Sequence, residues 1–208
     1  IVATMRPLTK MAQQIVSPAA IPALVREAFR VAQQERPGPV HLELPEDIAG
    51  EDAPDLAPIP PHPIEIPVAP AAALDRAAAM ILAARRPLIM FGAAASRPRL
   101  SAPLSDFLRR LRIPFFNTPM GKGAAAGGSH LYMGTCALSE RDYVHQAIDR
   151  ADLILTIGHD TVEKPPFIMG PDGPEVIHVG YMPATVEQVF FPHAEIVGDV
   201  GPSLALLA

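Results

Sequence analysis

Runs of consecutive apolar residues, each followed by glycine or a polar turn, dominate the chain from residue 71 onward. An uninterrupted apolar strand is typical of a sheet that is buried on both faces, and five runs fit this description: 87–92, 113–117, 152–158, 176–179 and 194–198. Between them, apolar residues recur at helical spacing, as in Leu104, Phe107 and Leu108. Strands that alternate with helices predict a parallel sheet, and therefore a three-layer, doubly wound, Rossmann-like α/β domain over residues 71–208.

The first fifty residues carry a different pattern, which is one amphipathic helix followed by one strand. Apolar residues recur every three or four positions from Ile21 to Ala32, and Pro22 suits the first turn of that helix. The strand at 40–44 follows it and ends at Pro45. Because a lone strand leaves both of its edges open, we interpret residues 1–52 as the helix–strand remnant of a preceding α/β domain. The chain is therefore expected to be a fragment of a longer protein.

Proline is concentrated between these two segments. Of the 25 prolines, seven lie between positions 54 and 70. Such a run restricts φ and extends the backbone, so residues 53–70 are predicted to form a semi-rigid linker.

Composition narrows the classes of function. With 49% hydrophobic residues among 208, the chain can build a sizeable core. A net charge of −5 without basic runs argues against nucleic-acid binding, and no apolar stretch is long enough for a membrane span. The single cysteine, Cys136, excludes an internal disulfide and favours a cytoplasmic location. Cys136 is expected to be a small buried hydrophobe, with a nucleophile as the less favoured alternative.

Candidate binding residues lie where the predicted strands end, because ligands of parallel sheets sit beyond the carboxyl ends of the strands. Glycine and other small residues there allow a ligand or a neighbouring backbone to approach closely. The candidates for cofactor binding are Gly92, Ala93, Ala94, Thr118, Met120, Gly121, Gly158, His159, Gly180 and Asp199.

Motifs that would assign chemistry directly are incomplete. The segment at 121–123 lacks the spacing of a phosphate-binding loop, and the turn at 92–95 lacks the glycines of a dinucleotide fingerprint, although its small residues leave an anion site open. His159, Asp160 and Glu163 do not form a convergent metal-binding set. We therefore assign no catalytic residue and no metal ligand to this chain.

Considered in order, several segments resemble the thiamine diphosphate-dependent acetolactate synthase large subunit and its carboligase and decarboxylase relatives. The segments that carry the resemblance are Leu8-Thr9-Lys10, the helix entered at 20–22, Arg36-Pro37-Gly38-Pro39-Val40, 44–48, Thr118-Pro119-Met120-Gly121-Lys122-Gly123, the strand at 151–160, 176–179 and 195–200. They match the end of the family's pyrimidine-binding domain and its central domain. Each motif alone is weak, whereas their order and spacing are specific.

The resemblance implies an enzyme that decarboxylates a 2-oxo acid such as pyruvate and joins the product to a second carbonyl compound. The family's thiamine diphosphate and Mg²⁺ sites lie in segments that this chain does not contain. The resemblance therefore implies an inactive central-domain fragment with a structural and assembly role. Its partners would be the missing N- and C-terminal domains and further subunits of a homodimer or homotetramer. Lys10 matches a lysine near the active-site entrance, so a substrate-proximal position and a solvated strand end both remain open.

The resemblance leaves FAD open, because biosynthetic members bind it as a structural group. The family's glycine triplet is Ala93-Ala94-Ala95 here, the expected arginines after Gly158 are absent, and Gly180 replaces an expected aspartate. These departures disfavour FAD, and the segment at 159–163 looks closer to catabolic, FAD-independent members. Two alternatives remain: a stand-alone FAD- or NAD-type nucleotide-binding module, and an interaction domain with an exposed apolar docking surface.

Overall fold

The computed structural model describes residues 1–53, 56–136, 142–160, 169, 173–185 and 190–208. The chain divides into two units, Ile1–Glu65 and Ile66–Ala208. The boundaries of the proposed linker stay predictions.

The N-terminal unit is a strand–helix–strand unit rather than a helix followed by one strand. Its elements are α1 (Val2–Met5), β1 (Met11–Gln14), α2 (Ile21–Gln33), β2 (Val40–Glu43) and α3 (Glu46–Ala49). Strands β1 and β2 are parallel, with Met11 opposite Val40 and Gln14 opposite Glu43. The expectation of a lone strand was therefore wrong. The sequence hides β1 because Met-Ala-Gln-Gln shows neither an apolar run nor an alternation, and its last two residues are exposed.

The C-terminal unit contains the remaining elements: α4 (Ala71–Ala83), β3 (Pro87–Phe91), α5 (Ser101–Leu111), β4 (Phe115–Asn117), β5 (Tyr132–Thr135), α6 (Tyr143–Ile148), β6 (Leu153–Ile157), β7 (Glu175–Gly180), β8 (Ala194–Val197) and α7 (Val200–Leu207). The six strands form one sheet in the order β5-β4-β3-β6-β7-β8, and every neighbouring pair is parallel. Numbered within the unit, this order is 3-2-1-4-5-6, which is the order of doubly wound dinucleotide-binding sheets.

Apolar side chains on both faces of the sheet account for the uninterrupted apolar runs in the sequence. Ile89 and Phe91 of β3 belong to one buried cluster, which includes residues of α4, α5 and α7. Leu88 and Met90 point to the opposite face and join a second cluster with Val144 of α6. Successive strand residues point to opposite faces, so one strand supplies both cores. The predicted three-layer fold is confirmed. In the part of the chain that the structure describes, no helix is both long and apolar enough to cross a bilayer.

Two local features differ from, or refine, the expectations. Strand β5 begins in the glycine-rich segment 121–134, where none of the five apolar runs lies, and its pairing with β4 shifts register between Phe115 and Asn117. Helix α6 has Asp142 as its N-cap, and the side chain of Asp142 accepts a hydrogen bond from the His145 N–H.

Candidate functional site at the strand ends

Backbone contacts close the crevice between β3 and β6, the point at which the strand order reverses. Gly158 follows β6 with φ +64°, and a Cβ there would lie 2.4 Å from the Ala95 nitrogen. Glycine is required for both reasons, since other residues rarely adopt this φ and no side-chain atom fits the space. The Gly92 N–H also donates to Ile157 O at 2.9 Å. The predicted residues Gly92, Ala94 and Gly158 are therefore brought into one contact.

The same turn is poorly suited to a cofactor diphosphate. Its amides are used within the domain, because the Ala94 N–H donates to Gly158 O (3.0 Å) and the Ala95 N–H donates to Gly92 O (3.0 Å). Two short 3₁₀ turns, Ala93–Ser96 and Pro98–Leu100, separate β3 from the start of α5 at Ser101. No long-helix N-terminus therefore follows directly after β3, where a Rossmann fold would bind phosphate. The described residues of this turn do not fit a dinucleotide such as FAD held in that manner.

Gly121 lies against the end of the neighbouring strand β3. A Cβ on Gly121 would be 2.2 Å from Phe91 O and 2.7 Å from the Phe91 carbonyl carbon. Thr118 stabilises the contact between Gly121 and β3, because its N–H donates to Phe91 O (2.9 Å) and its Oγ1 accepts from the Gly121 N–H (3.1 Å). Met120, between them, is 64% exposed. The structure thus joins Thr118 and Gly121 to the β3 end and points Met120 outward.

Gly180 and Asp199 lie at the other half of the strand-end edge, and Asp199 contacts the segment that precedes α4. The Gly198 N–H donates to Gly180 O (3.0 Å), and the Asp199 N–H donates to Pro67 O (2.7 Å). A Cβ on Gly198 would lie 2.6 Å from Pro67 O, so glycine permits this approach. The last residues of the proline-rich stretch are thereby fastened to the C-terminal unit. The predicted roles of these residues in cofactor binding stay predictions.

Two histidines and a phenylalanine pack against one another near the ends of β6 and β7. The ring centroid of Phe190 lies 4.9 Å from that of His159 and 5.8 Å from that of His178, both edge-to-face. Burial lowers the pKa of His159 to about 4, and the neighbouring His178 adds to the effect. The pKa of His178 is also lowered, chiefly by burial, although its Nε2 lies 3.1 Å from Met182 O. Both imidazoles are therefore neutral at physiological pH.

A tyrosine between two arginines links the turn after β7 to the turn after β3. The guanidinium carbons of Arg97 and Arg99 lie 4.4 and 4.6 Å from the ring centroid of Tyr181. The Arg99 Nε–H also donates to Tyr181 Oη at 3.2 Å. Burial raises the pKa of Tyr181. Sequence analysis missed this cluster, because 82 positions separate Arg99 and Tyr181 and only the strand order brings them together.

A buried polar group at the ends of β4 and β5 was also missed. Asn117 Nδ2 donates to Thr135 Oγ1 at 3.0 Å, and Tyr132 Oη donates to Asn117 Oδ1 at 2.7 Å. Asn117 is 4% exposed, so these bonds satisfy an amide that would otherwise be costly to bury. The group stabilises the edge strand β5. One feature of the sequence could have indicated this group, because a polar residue, Asn117, ends an otherwise apolar strand.

Cys136, Asp142 and His145 form the one cluster of potential metal ligands among the described residues, and their ligand atoms all lie within 4.8 Å of one another. The Cys136 Sγ lies 3.9 Å from His145 Nε2, and His145 Nδ1 lies 2.7 Å from Asp142 Oδ1. A thiol and an imidazole do not suit Mg²⁺, which prefers oxygen ligands. The described residues therefore do not fit the magnesium site of a diphosphate cofactor.

Cys136 is expected to be unreactive in the folded protein. It is 3% exposed, and burial, together with Asp142, raises its pKa to about 12. Relative to an ordinary thiol, the thiolate fraction is lower by a factor on the order of a thousand, and alkylation slows accordingly. Iodoacetamide labelling at pH 8, followed by mass spectrometry, measures the rate. The urea-unfolded protein is the control and should react at the rate of a free thiol; equal rates in both states would contradict the buried placement.

Lys10, in the N-terminal unit, contacts the C-terminal end of α2. Its Nζ donates to Val31 O (2.6 Å) and Gln34 O (2.7 Å). A cation at this position satisfies carbonyls that lack helical partners. The structure thus gives Lys10 a helix-capping contact, while its proximity to substrate stays a prediction.

These features define a doubly wound, ligand-binding type of α/β domain whose strand ends are closed by glycine contacts. More specifically, the chain belongs to the family "thiamine pyrophosphate enzyme, central domain", whose model matches residues 74–207.

Known proteins of this family resemble the chain over nearly its whole length. A catabolic acetolactate synthase of Raoultella terrigena is 31% identical, with 100% of this chain and 37% of the relative covered. A glyoxylate carboligase of Escherichia coli O157:H7 is 28% identical, with 97% and 35% covered. The structure of a thiamin diphosphate-dependent enzyme isolated from Mycobacterium smegmatis superimposes with a TM-score of 0.79 at 26% identity, over 99% of this chain and 40% of that one. The chain thus spans little more than a third of the length of these relatives.

Proposed function

We propose that the protein to which this chain belongs is a thiamine diphosphate-dependent acetolactate synthase, which decarboxylates pyruvate and joins the product to a second 2-oxo acid. The observation that carries the proposal is the match of the central-domain family over residues 74–207, together with a catabolic acetolactate synthase that covers the entire chain. The cofactor supplies the carbanion chemistry in such an enzyme, and the protein positions it.

In this proposal, the 208 residues form a structural scaffold and supply no catalytic group. The polar groups at their strand ends face one another: amides bond to carbonyls of neighbouring turns, Asn117 bonds to Thr135, and Tyr181 lies between two arginines. Thiamine diphosphate and Mg²⁺ would be held by segments outside this chain, and no reaction step is assigned to a residue within it. The single cysteine supports a cytoplasmic location.

Exposed apolar residues of the N-terminal unit favour the proposal that another part of the same protein packs against it. Helix α2 buries only Ala28, whereas Val25 is 37% and Phe29 is 63% exposed. An apolar cavity of about 670 Å³ runs along this helix, with Leu56, Ile59 and Ile64 on its other side. Exposed apolar surface of this kind marks an interaction site. We propose that the preceding part of the pyrimidine-binding domain covers this apolar surface. We also propose that the full-length protein forms a homodimer or homotetramer.

Acetolactate formation by the full-length protein tests the proposal. The protein is incubated with pyruvate, Mg²⁺ and thiamine diphosphate, and released CO₂ and acetolactate are quantified. Acetolactate is expected only when the cofactor is present. A parallel reaction with glyoxylate separates the two kinds of relative. Product from glyoxylate alone would replace this proposal with a carboligase of the second kind, and no product from either substrate would reject both.

FAD is expected to be absent from the purified protein. The backbone amides of the turn after β3 donate hydrogen bonds to carbonyls of the same domain, so the diphosphate of FAD could bind them only if these bonds broke. The visible absorption of the protein should show no flavin, and added FAD should not raise the midpoint of thermal unfolding. A ligand at 100 times its Kd would add about 2.7 kcal/mol to the free energy of unfolding, a readily measured shift. Co-purified flavin would contradict this expectation, and it would fit either a FAD-binding member of the family or a nucleotide-binding module.

A further inference from the structure

A cavity of the C-terminal unit lies along the side of helix α5, on the cluster face shared with α4 and α7. Its volume is about 610 Å³, which suits a small organic ligand. One wall is α5 with its C-cap: Ser101, Ser105, Leu108 and Arg109 of the helix line the cavity, and so does the C-cap residue Arg112. The spacing of Ser101, Ser105 and Leu108 places them on one face of the helix.

The opposite wall is the connection between β4 and β5, which is built from very small residues. Gly123 to Ala126 read Gly-Ala-Ala-Ala, and a Cβ at Gly123 would find no atom within 4 Å. Because this segment carries no bulky side chain, the space beside α5 stays open. Leu108, Phe115 and Leu131 provide an apolar floor. The cavity therefore offers an apolar group a surface on which to pack.

The rim of the cavity carries two arginines in a chain whose net charge is −5. Arg109 and Arg112 line it together with the imidazole of His130, and none of the described residues that line it is acidic. Asp106, three residues earlier in α5, lies with its Oδ1 2.6 Å from one terminal nitrogen of Arg109, and a guanidinium has five N–H donors in all. The hydroxyls of Ser101, Ser105 and Ser129 add further donors.

Arg112 occupies a position that favours glycine. It ends α5 in the left-handed region, with φ +53°, and is the one non-glycine residue with positive φ among the described residues. Glycine is the common residue at such a helix end because it has no Cβ. Arginine is therefore not explained by the local fold, whereas its placement on the cavity rim gives its side chain a use.

We propose that this cavity binds a phosphate monoester whose organic part packs on the apolar floor, as the base of a mononucleotide can. Two guanidiniums, an imidazole and three hydroxyls supply many donors, and a phosphate offers three terminal oxygens to accept them, more than a carboxylate does. The apolar floor receives the base. None of the candidate residues at the strand ends lines this cavity, and the site does not depend on the proposed activity.

Calorimetric titration of the full-length protein with AMP, adenosine and inorganic phosphate tests the site. AMP is expected to bind, and adenosine and phosphate are each expected to bind at least about tenfold more weakly, since each lacks one of the two recognised parts. Arg112→Gly should weaken AMP binding at least about tenfold without lowering the midpoint of thermal unfolding, because glycine suits this backbone. A purely structural arginine would not separate the two readouts in this way.

Arg110→Ala is the matched control, since Arg110 is exposed on the same helix and does not line the cavity. This variant should bind AMP as the parent does. The proposal is overturned if AMP does not bind, if adenosine binds as tightly as AMP, or if Arg112→Gly and the parent bind AMP equally.

Discussion

Gly121→Ala is expected to lower the free energy of unfolding of the C-terminal unit by about 3 kcal/mol or more. The added methyl would lie 2.2 Å from Phe91 O and 2.7 Å from the Phe91 carbonyl carbon. Both atoms belong to the backbone of a central strand, so no side-chain rotation relieves the clash. Either β3 or the turn at 118–121 must move, and the Thr118 hydrogen bonds that join them would be lost.

Gly128→Ala is the matched control for this prediction. It lies in the same connection between β4 and β5, where a Cβ would meet no atom within 4 Å. This variant should stay within about 0.5 kcal/mol of the parent. Thermal unfolding of the three proteins decides the matter, since a loss of 3 kcal/mol lowers the midpoint by about 6–12 °C in a chain of this size. A Gly121→Ala midpoint equal to that of Gly128→Ala would contradict the packing at the strand ends.

Acidification from pH 6.5 to 4 is expected to remove about 3 kcal/mol of stability through His159. Its pKa falls from 6.5 to about 4 on folding, because burial disfavours the charged imidazole. The unfolded chain therefore binds the proton more readily. The contribution of His159 is fully present above pH 6.5, and it is lost as the pH falls through the folded pKa. His178 is shifted in the same direction and adds to the slope.

Urea unfolding at a series of pH values between 7 and 4 measures this dependence. His159→Phe keeps an aromatic ring beside Phe190 but carries no titrating group, so its stability should fall less steeply with acid than that of the parent. His62→Phe is the control, because His62 is exposed in the proline-rich segment. Its curve should match the parent in slope. If the free energy of unfolding falls as steeply with acid in the His159→Phe variant as in the parent, the conclusion that His159 is buried and neutral is wrong.

The fully buried central strands were predictable from the sequence, whereas the two strands that the sequence did not reveal, β1 and β5, are only partly buried. Strands β3 and β6 are buried along nearly their whole length, so each appears as an apolar run. Strand β1 has two exposed glutamines, and β5 is an edge strand of half-buried residues beside a glycine-rich segment. In both, partner strands rather than local pattern decide the conformation.

The candidate site was predictable in position but not in its contacts. The rule that parallel sheets bind ligands at their carboxyl ends led to Gly92, Gly121 and Gly158, and all three lie there. The sequence could not show that these glycines serve contacts between strands, because the distance from Gly158 to Ala95 depends on which strands are neighbours. The pair of arginines around Tyr181 depends on the same strand order, and no local spacing signals it.

The division of labour between this chain and the rest of the protein is the central claim, and one assay tests it most directly. The 208-residue chain and the full-length protein are each incubated with pyruvate, Mg²⁺ and thiamine diphosphate, after cooperative unfolding has shown that the chain is folded. We expect acetolactate from the full-length protein and none from the folded chain. Turnover by the folded chain alone would contradict the account, because it would require a catalytic centre within these residues.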